Sequence, residues 1–261
     1  VSTQGDQRII ELKSERPRTA WVEVELVDLQ NVKSLRPTPD LVRLGAGETR
    51  TAGVLEIEDP RQTHRYQMRW LALAGDPQAV HDERWHYRMP FGGTRPVTIS
   101  QAYDGPFTHK GLGAYAVDFP MPDGTPILAA RGGTVVEVVD DPRPRRSRAS
   151  EDASESDDHV VIEHADGTFA RYGHLQPKSV PVHVGRRVES GDRLGLSGET
   201  GLATGPHLHF EVYKIRRDGH RETIPVHFWD GTATGFLPRT GSTQPPACER
   251  GADARCRPGE L

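Results

Sequence analysis

Two histidines stand two residues apart in Gly205-Pro-His-Leu-His-Phe-Glu-Val212, followed by apolar, β-prone residues. Side chains on a strand alternate between faces, so His207 and His209 would share one face and could converge on a single atom. Neutral imidazole is the commonest metal ligand, and zinc accepts imidazole nitrogen together with carboxylate oxygen. Alone, the pair fits a solvated surface equally well. Its company strengthens it, because His109, Asp118 and His174 lie upstream in similarly strand-rich sequence. Three donors on one ion would leave a fourth tetrahedral position open, which a catalytic zinc site requires and a closed structural site lacks.

The elements that must position these residues read as strands. Gly133-Thr-Val-Val-Glu-Val-Val139, Val160-Val-Ile-Glu-His164 and Thr168-Phe-Ala-Arg-Tyr-Gly-His-Leu175 are strand candidates, and glycines recur among β-branched and leucine residues from Val184 to Gly198. Within the third candidate, Tyr172 is two residues from His174, so a shared face would let it orient that imidazole, with plain packing as the alternative. Gly198 and Gly201 suit tight turns before the histidine strand, and Thr204 either contacts a substrate carbonyl or caps local backbone. Between the first two strands, four arginines precede a dense Asp/Glu/Ser run. Almost nothing there is suited to burial, so 140–158 is expected to be a mobile, exposed insertion, with electrostatic docking as the alternative.

The first hundred residues also alternate. Ala20-Trp-Val-Glu-Val-Glu-Leu-Val27, Thr51-Ala-Gly-Val-Leu-Glu-Ile57 and Tyr66-Gln-Met-Arg-Trp-Leu-Ala-Leu73 are separated by Pro- and Gly-rich turns, which suggests a small sandwich. The expected fold is therefore all-β: a β-sandwich-like domain over 1–95, an antiparallel-sheet domain over 96–235, and an extended tail over 236–261. The boundary is placed near Met89-Pro-Phe-Gly-Gly93.

Composition narrows the rest. With 261 residues, 34% apolar content, 27 glycines and 21 prolines, the chain favours turn-rich β structure and is long enough for two cores. A net charge of −4 and scattered basic residues give no nucleic-acid signature. No apolar run is long enough to span a membrane as a helix. The first residues lack the basic start and apolar stretch of a signal peptide, so an exported protein would be numbered here after signal removal. Cys248 and Cys256 fall in the last fourteen residues; they form a local disulfide in an oxidising compartment or remain two free thiols.

Taken in order, His109-Lys-Gly-Leu-Gly-Ala-Tyr-Ala-Val-Asp118, Tyr172-Gly-His-Leu175 and Thr204-Gly-Pro-His-Leu-His209 resemble the lysostaphin-type (LytM-like) zinc endopeptidases, which cut the peptide part of bacterial peptidoglycan. The resemblance spans roughly His109 to Tyr213, apart from the insertion. It implies that His109, Asp118 and His209 bind one zinc ion, while His174 and His207 stand beside it as catalytic imidazoles. It also implies a LytM-like fold for the second domain, a peptidoglycan peptide substrate and an extracytoplasmic location in a bacterium. The first domain would then place the enzyme on a protein partner or the wall, or shade its groove.

Eight residues separate His109 from Asp118, a longer spacing than in many members of that family, so a loop must carry His109 back to the strand of Asp118. His159 or His164 would be the substitute ligands if His109 were not one. A rival reading is a catalytically silent LytM-like module that activates another wall hydrolase; such proteins usually lack one or more of the five side chains, and this chain keeps all five. The segment His81-Asp-Glu-Arg-Trp-His86 imitates the helical H-E-x-x-H motif but has its histidines five apart, off one helix face. His81, His86, His183, His220 and His227 are expected at the surface.

Overall fold

Alternating apolar residues form strands wherever turn residues break the runs, and the computed structural model describes residues 1–15, 19–140 and 157–251 of the chain. Its contacts divide into one unit of 1–78 with 215–220 and a second of 79–214 with 221–261. In the first unit, β1 (Ser2–Gln4), β2 (Gln7–Lys13), β4 (Val32–Ser34) and β6 (Thr49–Ile57) make one antiparallel sheet in the order β1-β2-β6-β4. β3 (Ala20–Gln30), β5 (Asp40–Leu44) and β7 (Arg65–Leu73) make another, ordered β5-β3-β7. Ile10, Val24, Leu26, Leu44 and Leu55 from both sheets share one core.

The second unit starts at Ala79 rather than near 96, because Tyr87, Met89 and Phe91 are buried in its core. β8 (His86–Tyr87) pairs with β19 (His227–Phe228), and β9 (Val97–Thr98) pairs with β20 (Thr243–Gln244). The segment expected as a tail thus runs along this unit as far as the described residues go, with the Ala247 amide donating to Phe91 O at 2.8 Å. Cys256, and with it any pairing to Cys248, lies outside the described residues.

The central sheet contains β10 (Val117–Pro120), β12 (Gly133–Val139), β13 (His159–Glu163), β14 (Phe169–Gly173), β15 (Arg187–Val188), β17 (His207–Ile215) and β18 (Arg221–Thr223). Its order is β10-β17-β14-β13-β12-β15, with β18 on β17. The smaller pair β11 (Pro126–Leu128) and β16 (Arg193–Leu196) lies outside it. Strand parity divides the sheet into two chemistries. Val117, Phe119, Ala170, Tyr172, Leu208, Phe210 and Val212 enter the apolar core. The alternate residues, Asp118, Arg171, His207, His209 and Glu211, line a pocket with a volume of about 330 Å³.

Several expectations change here. Among the insertion residues, 141–156 lie outside the described set, but Asp157 and Asp158 are fully buried rather than exposed. Tyr172 packs against Phe210 at 5.3 Å and its hydroxyl accepts the Ala130 amide at 2.8 Å, so it is a core residue. His81 is half-buried against the Tyr87 ring instead of solvated. His86 and His227 are half-buried and face each other across the β8–β19 register. His183 and His220 are exposed. Thr204 is exposed too. Among the described residues, no helix is long and apolar enough to cross a membrane.

His164 gives the fold a pH dependence. It is buried, donates from Nδ1 to Gly132 O at 3.0 Å, and meets the Tyr87 ring edge-on. Burial, helped by the Arg131 charge, pushes its pKa down from 6.5 to about 4. Between those values the unfolded chain takes a proton that the folded one refuses. The contribution is therefore complete above about pH 6.5 and is lost as the pH falls toward 4, by up to roughly 3 kcal/mol. Denaturant unfolding at pH 7, 5 and 4 should show this slope, and His164→Gln should flatten it; an unchanged slope in the variant would assign the effect to other groups.

Candidate metal centre

Strand register builds the site. Asp118 on β10 is the direct cross-strand partner of His209 on β17, and Gly173 on β14 faces His209 from the other side. His109 lies outside the sheet, and the spacer that joins it to Asp118 contains a single 3-10 turn at Gly111–Gly113. Two contacts return it to the strand. Its Nδ1 donates to Ala102 O at 3.0 Å, and neighbouring Gln101 donates from Nε2 to Asp118 Oδ2 at 2.9 Å while its Oε1 accepts the Phe107 amide at 3.0 Å.

The donor atoms of His109, Asp118 and His209 all lie within 4.8 Å of one another. His109 is buried, and its Nε2 makes no hydrogen bond although Asp118 Oδ2 is 3.2 Å away. His209 turns Nδ1 toward Asp118 Oδ1 at 3.0 Å and Nε2 toward Glu211 Oε2 at 3.5 Å. Burial alone would raise the Asp118 carboxyl, but the His209 hydrogen bond and the adjacent His109 ring hold it well below the usual carboxylate range. Burial likewise favours a neutral His209, yet Asp118 and Glu211 push it up to about 9. The spot attracts positive charge, and two imidazoles with one carboxylate suit a borderline ion. These three residues could hold a metal, with Glu211 as the carboxylate behind a ligating histidine.

Beside them stand His174 and His207, with ring centroids 4.4 Å apart, and His174 is 6.0 Å from His209. The β14 strand ends at Gly173, and His174 follows with φ of 59°, so its side chain leaves the parity that Tyr172 obeys. Its Nδ1 donates to Thr200 O at 2.7 Å, and His207 Nδ1 donates to Gly205 O at 2.8 Å. In both rings the Nε2 atom is left for chemistry. Burial chiefly pushes the His174 pKa down to about 4, so the ring is neutral at pH 7 and able to accept a proton.

Residues 113–223 match peptidase family M23. The chain carries an M23 peptidase domain. Four of the five predicted side chains fall inside the matched span, and His109 lies just ahead of it. The chain is 35% identical over 133 residues to the peptidoglycan DD-endopeptidase ShyA of Vibrio cholerae, covering 50% of this chain and 25% of that protein. It is 32% identical over 138 residues to the glycyl-glycine endopeptidase ALE-1 of Staphylococcus capitis, covering 51% and 32%. The catalytic domain of lysostaphin from Staphylococcus simulans aligns at 28% identity over 46% of this chain and 79% of its own, with a TM-score of 0.32. The aligned part is thus about a quarter to a third of the length of these two sequence relatives.

His159 and His164 stand apart from the three convergent donors. His159 donates from Nδ1 to Asp157 O at 2.8 Å and lies 3.6 Å from Glu137. Sequence reasoning missed Asp157, Arg171 and Glu211. Glu211 had a readable signal, because it continues the period-two face of His207 and His209.

Proposed function

We propose that the chain is a zinc-dependent endopeptidase that hydrolyses amide bonds in the stems or cross-bridges of bacterial peptidoglycan, outside the cytoplasm. The observation that carries this reading is the approach of His109, Asp118 and His209 to within 4.8 Å, with the His174–His207 pair alongside. Zinc held by those three residues would supply Lewis acidity toward a carbonyl and a nucleophile from water near neutral pH.

The chain's own groups do the rest. The neutral His174 ring, tethered at Nδ1 by Thr200 O, accepts a proton at Nε2 and can return it to the departing amine. His207, tethered at Nδ1 by Gly205 O and set beside His174, is placed to stabilise the oxyanion that develops on the attacked carbonyl. One pocket, lined also by Leu112, Leu202 and Arg221, holds both groups. ShyA is named for a DD-bond and ALE-1 for a glycyl-glycine bond, so the test must offer both.

Purified peptidoglycan of each cross-link type, incubated with the protein with and without a chelator, should release peptides that mass spectrometry identifies. Chelator-sensitive release from one type establishes the activity and names the bond. No release from either, at one zinc per chain, would replace this reading with the binding module.

A further inference from the structure

A buried line of charge runs beneath the centre and belongs to none of the five residues above. Asp157 is 0% exposed, Arg171 4% and Glu211 5%. The Arg171 guanidinium donates to Asp157 Oδ1, and Arg171 is the direct cross-strand partner of Glu211. At one end, Asp157 Oδ2 accepts the His174 amide at 2.8 Å and lies 3.7 Å from its Nδ1. At the other end, Glu211 Oε2 faces His209 Nε2.

The surrounding backbone is shaped for this line. A Cβ on Gly173 would sit 2.6 Å from both Asp157 Oδ2 and Arg171 Nη1, and one on Gly201, at φ of 72°, would sit 2.6 Å from Asp157 Cβ. Two glycines, one ending β14 and one in the loop before β17, therefore leave room for one carboxylate. His174 occupies the left-handed region that non-glycine residues seldom adopt, and the Asp157 bond to its amide is what can hold it there. The Thr200 carbonyl that tethers the ring belongs to the same knot, since Thr200 Oγ1 accepts the Asp158 amide at 2.9 Å.

We infer that Asp157, Arg171 and Glu211 form a positioning relay in which Asp157 fixes His174, Glu211 fixes His209, and the Arg171 charge, hydrogen-bonded to Asp157 and set across the strands from Glu211, attracts both carboxylates. The two halves of the centre are then placed relative to each other by one guanidinium. The kinetic part of this inference rests on the peptidase reading; the structural part does not.

The test uses two isosteric neutral variants, each compared with the wild-type chain. Glu211→Gln should weaken zinc binding about 10-fold or more, measured by competition with a chromogenic chelator. Asp157→Asn should bind zinc as the wild type does, yet lower kcat by roughly 10–100-fold with little change in KM. Independently of activity, long-range imidazole 15N spectra of the zinc-loaded protein should show His174 as one Nδ1–H tautomer in the wild type and a tautomer mixture in Asp157→Asn. A merely structural role would lower stability and leave kcat, zinc affinity and the ring spectrum of the folded fraction unmoved, and that outcome overturns the relay. Should a variant fail to fold, amide exchange in the wild type decides: slow exchange at His174 supports the relay, and exchange as fast as an open loop overturns it. If the wild type cuts no peptidoglycan, the peptidase reading fails while the spectra and zinc affinity still judge the relay.

Discussion

His209→Ala is expected to purify without zinc and without peptidase activity. Three donors converge on one point, and His209 is the one gripped from both sides, by Asp118 at Nδ1 and Glu211 near Nε2. Removing it leaves a two-donor site and two carboxylates that no longer share an imidazole. Affinity should fall by more than the roughly 10–100-fold that outer-shell changes cost, because a coordinating atom is lost outright. Elemental analysis after gel filtration reads the result directly, with near-zero zinc against one per chain in the wild type. His159→Ala and His164→Ala are the controls: their rings are committed to Asp157 O and Gly132 O, away from the cluster, so both should keep the metal. A His209→Ala protein that retained full zinc would move the ligand set elsewhere in the pocket, with His174 and His207 as the remaining imidazoles.

What the sequence made legible followed from strand parity. His207 and His209 were expected on one face of a strand, Asp118 near the start of another, and the register of β10 against β17 sets Asp118 opposite His209. The same rule failed for Tyr172 and His174. The strand stops at Gly173 and the next residue takes a positive φ, so two side chains two apart end up in the core and in the pocket. Asp157 was hidden by its neighbours, since an acidic run reads as solvent-exposed. Its burial is decided by Arg171 and by glycines 28 residues apart, which are long-range facts. The start of the second unit was obscured in the same way. Tyr87, Met89 and Phe91 sit in a turn-rich stretch that looks like a linker, and only tertiary packing makes them core.

For His174→Ala the expected outcome is the reverse of the first: normal zinc content with most of the activity gone. None of its ring atoms belongs to the convergent donor set, and its Nδ1 is already spent on Thr200 O. Deleting the ring therefore removes the group placed to accept a proton while His109, Asp118 and His209 keep their geometry. General acid–base contributions of this kind are worth about 10²–10⁴-fold, and the loss should appear in kcat because the proton moves only in the transition state. Asp157 remains paired with Arg171 in the variant, so the fold beneath the site has no newly unpaired buried charge. The space left beside His207 should also admit a small base, and added imidazole should restore part of the rate to His174→Ala but none to metal-free His209→Ala. Equal zinc loss in the two variants would show that His174 is a ligand, and the division of labour between the three convergent donors and the adjoining pair would have to be redrawn.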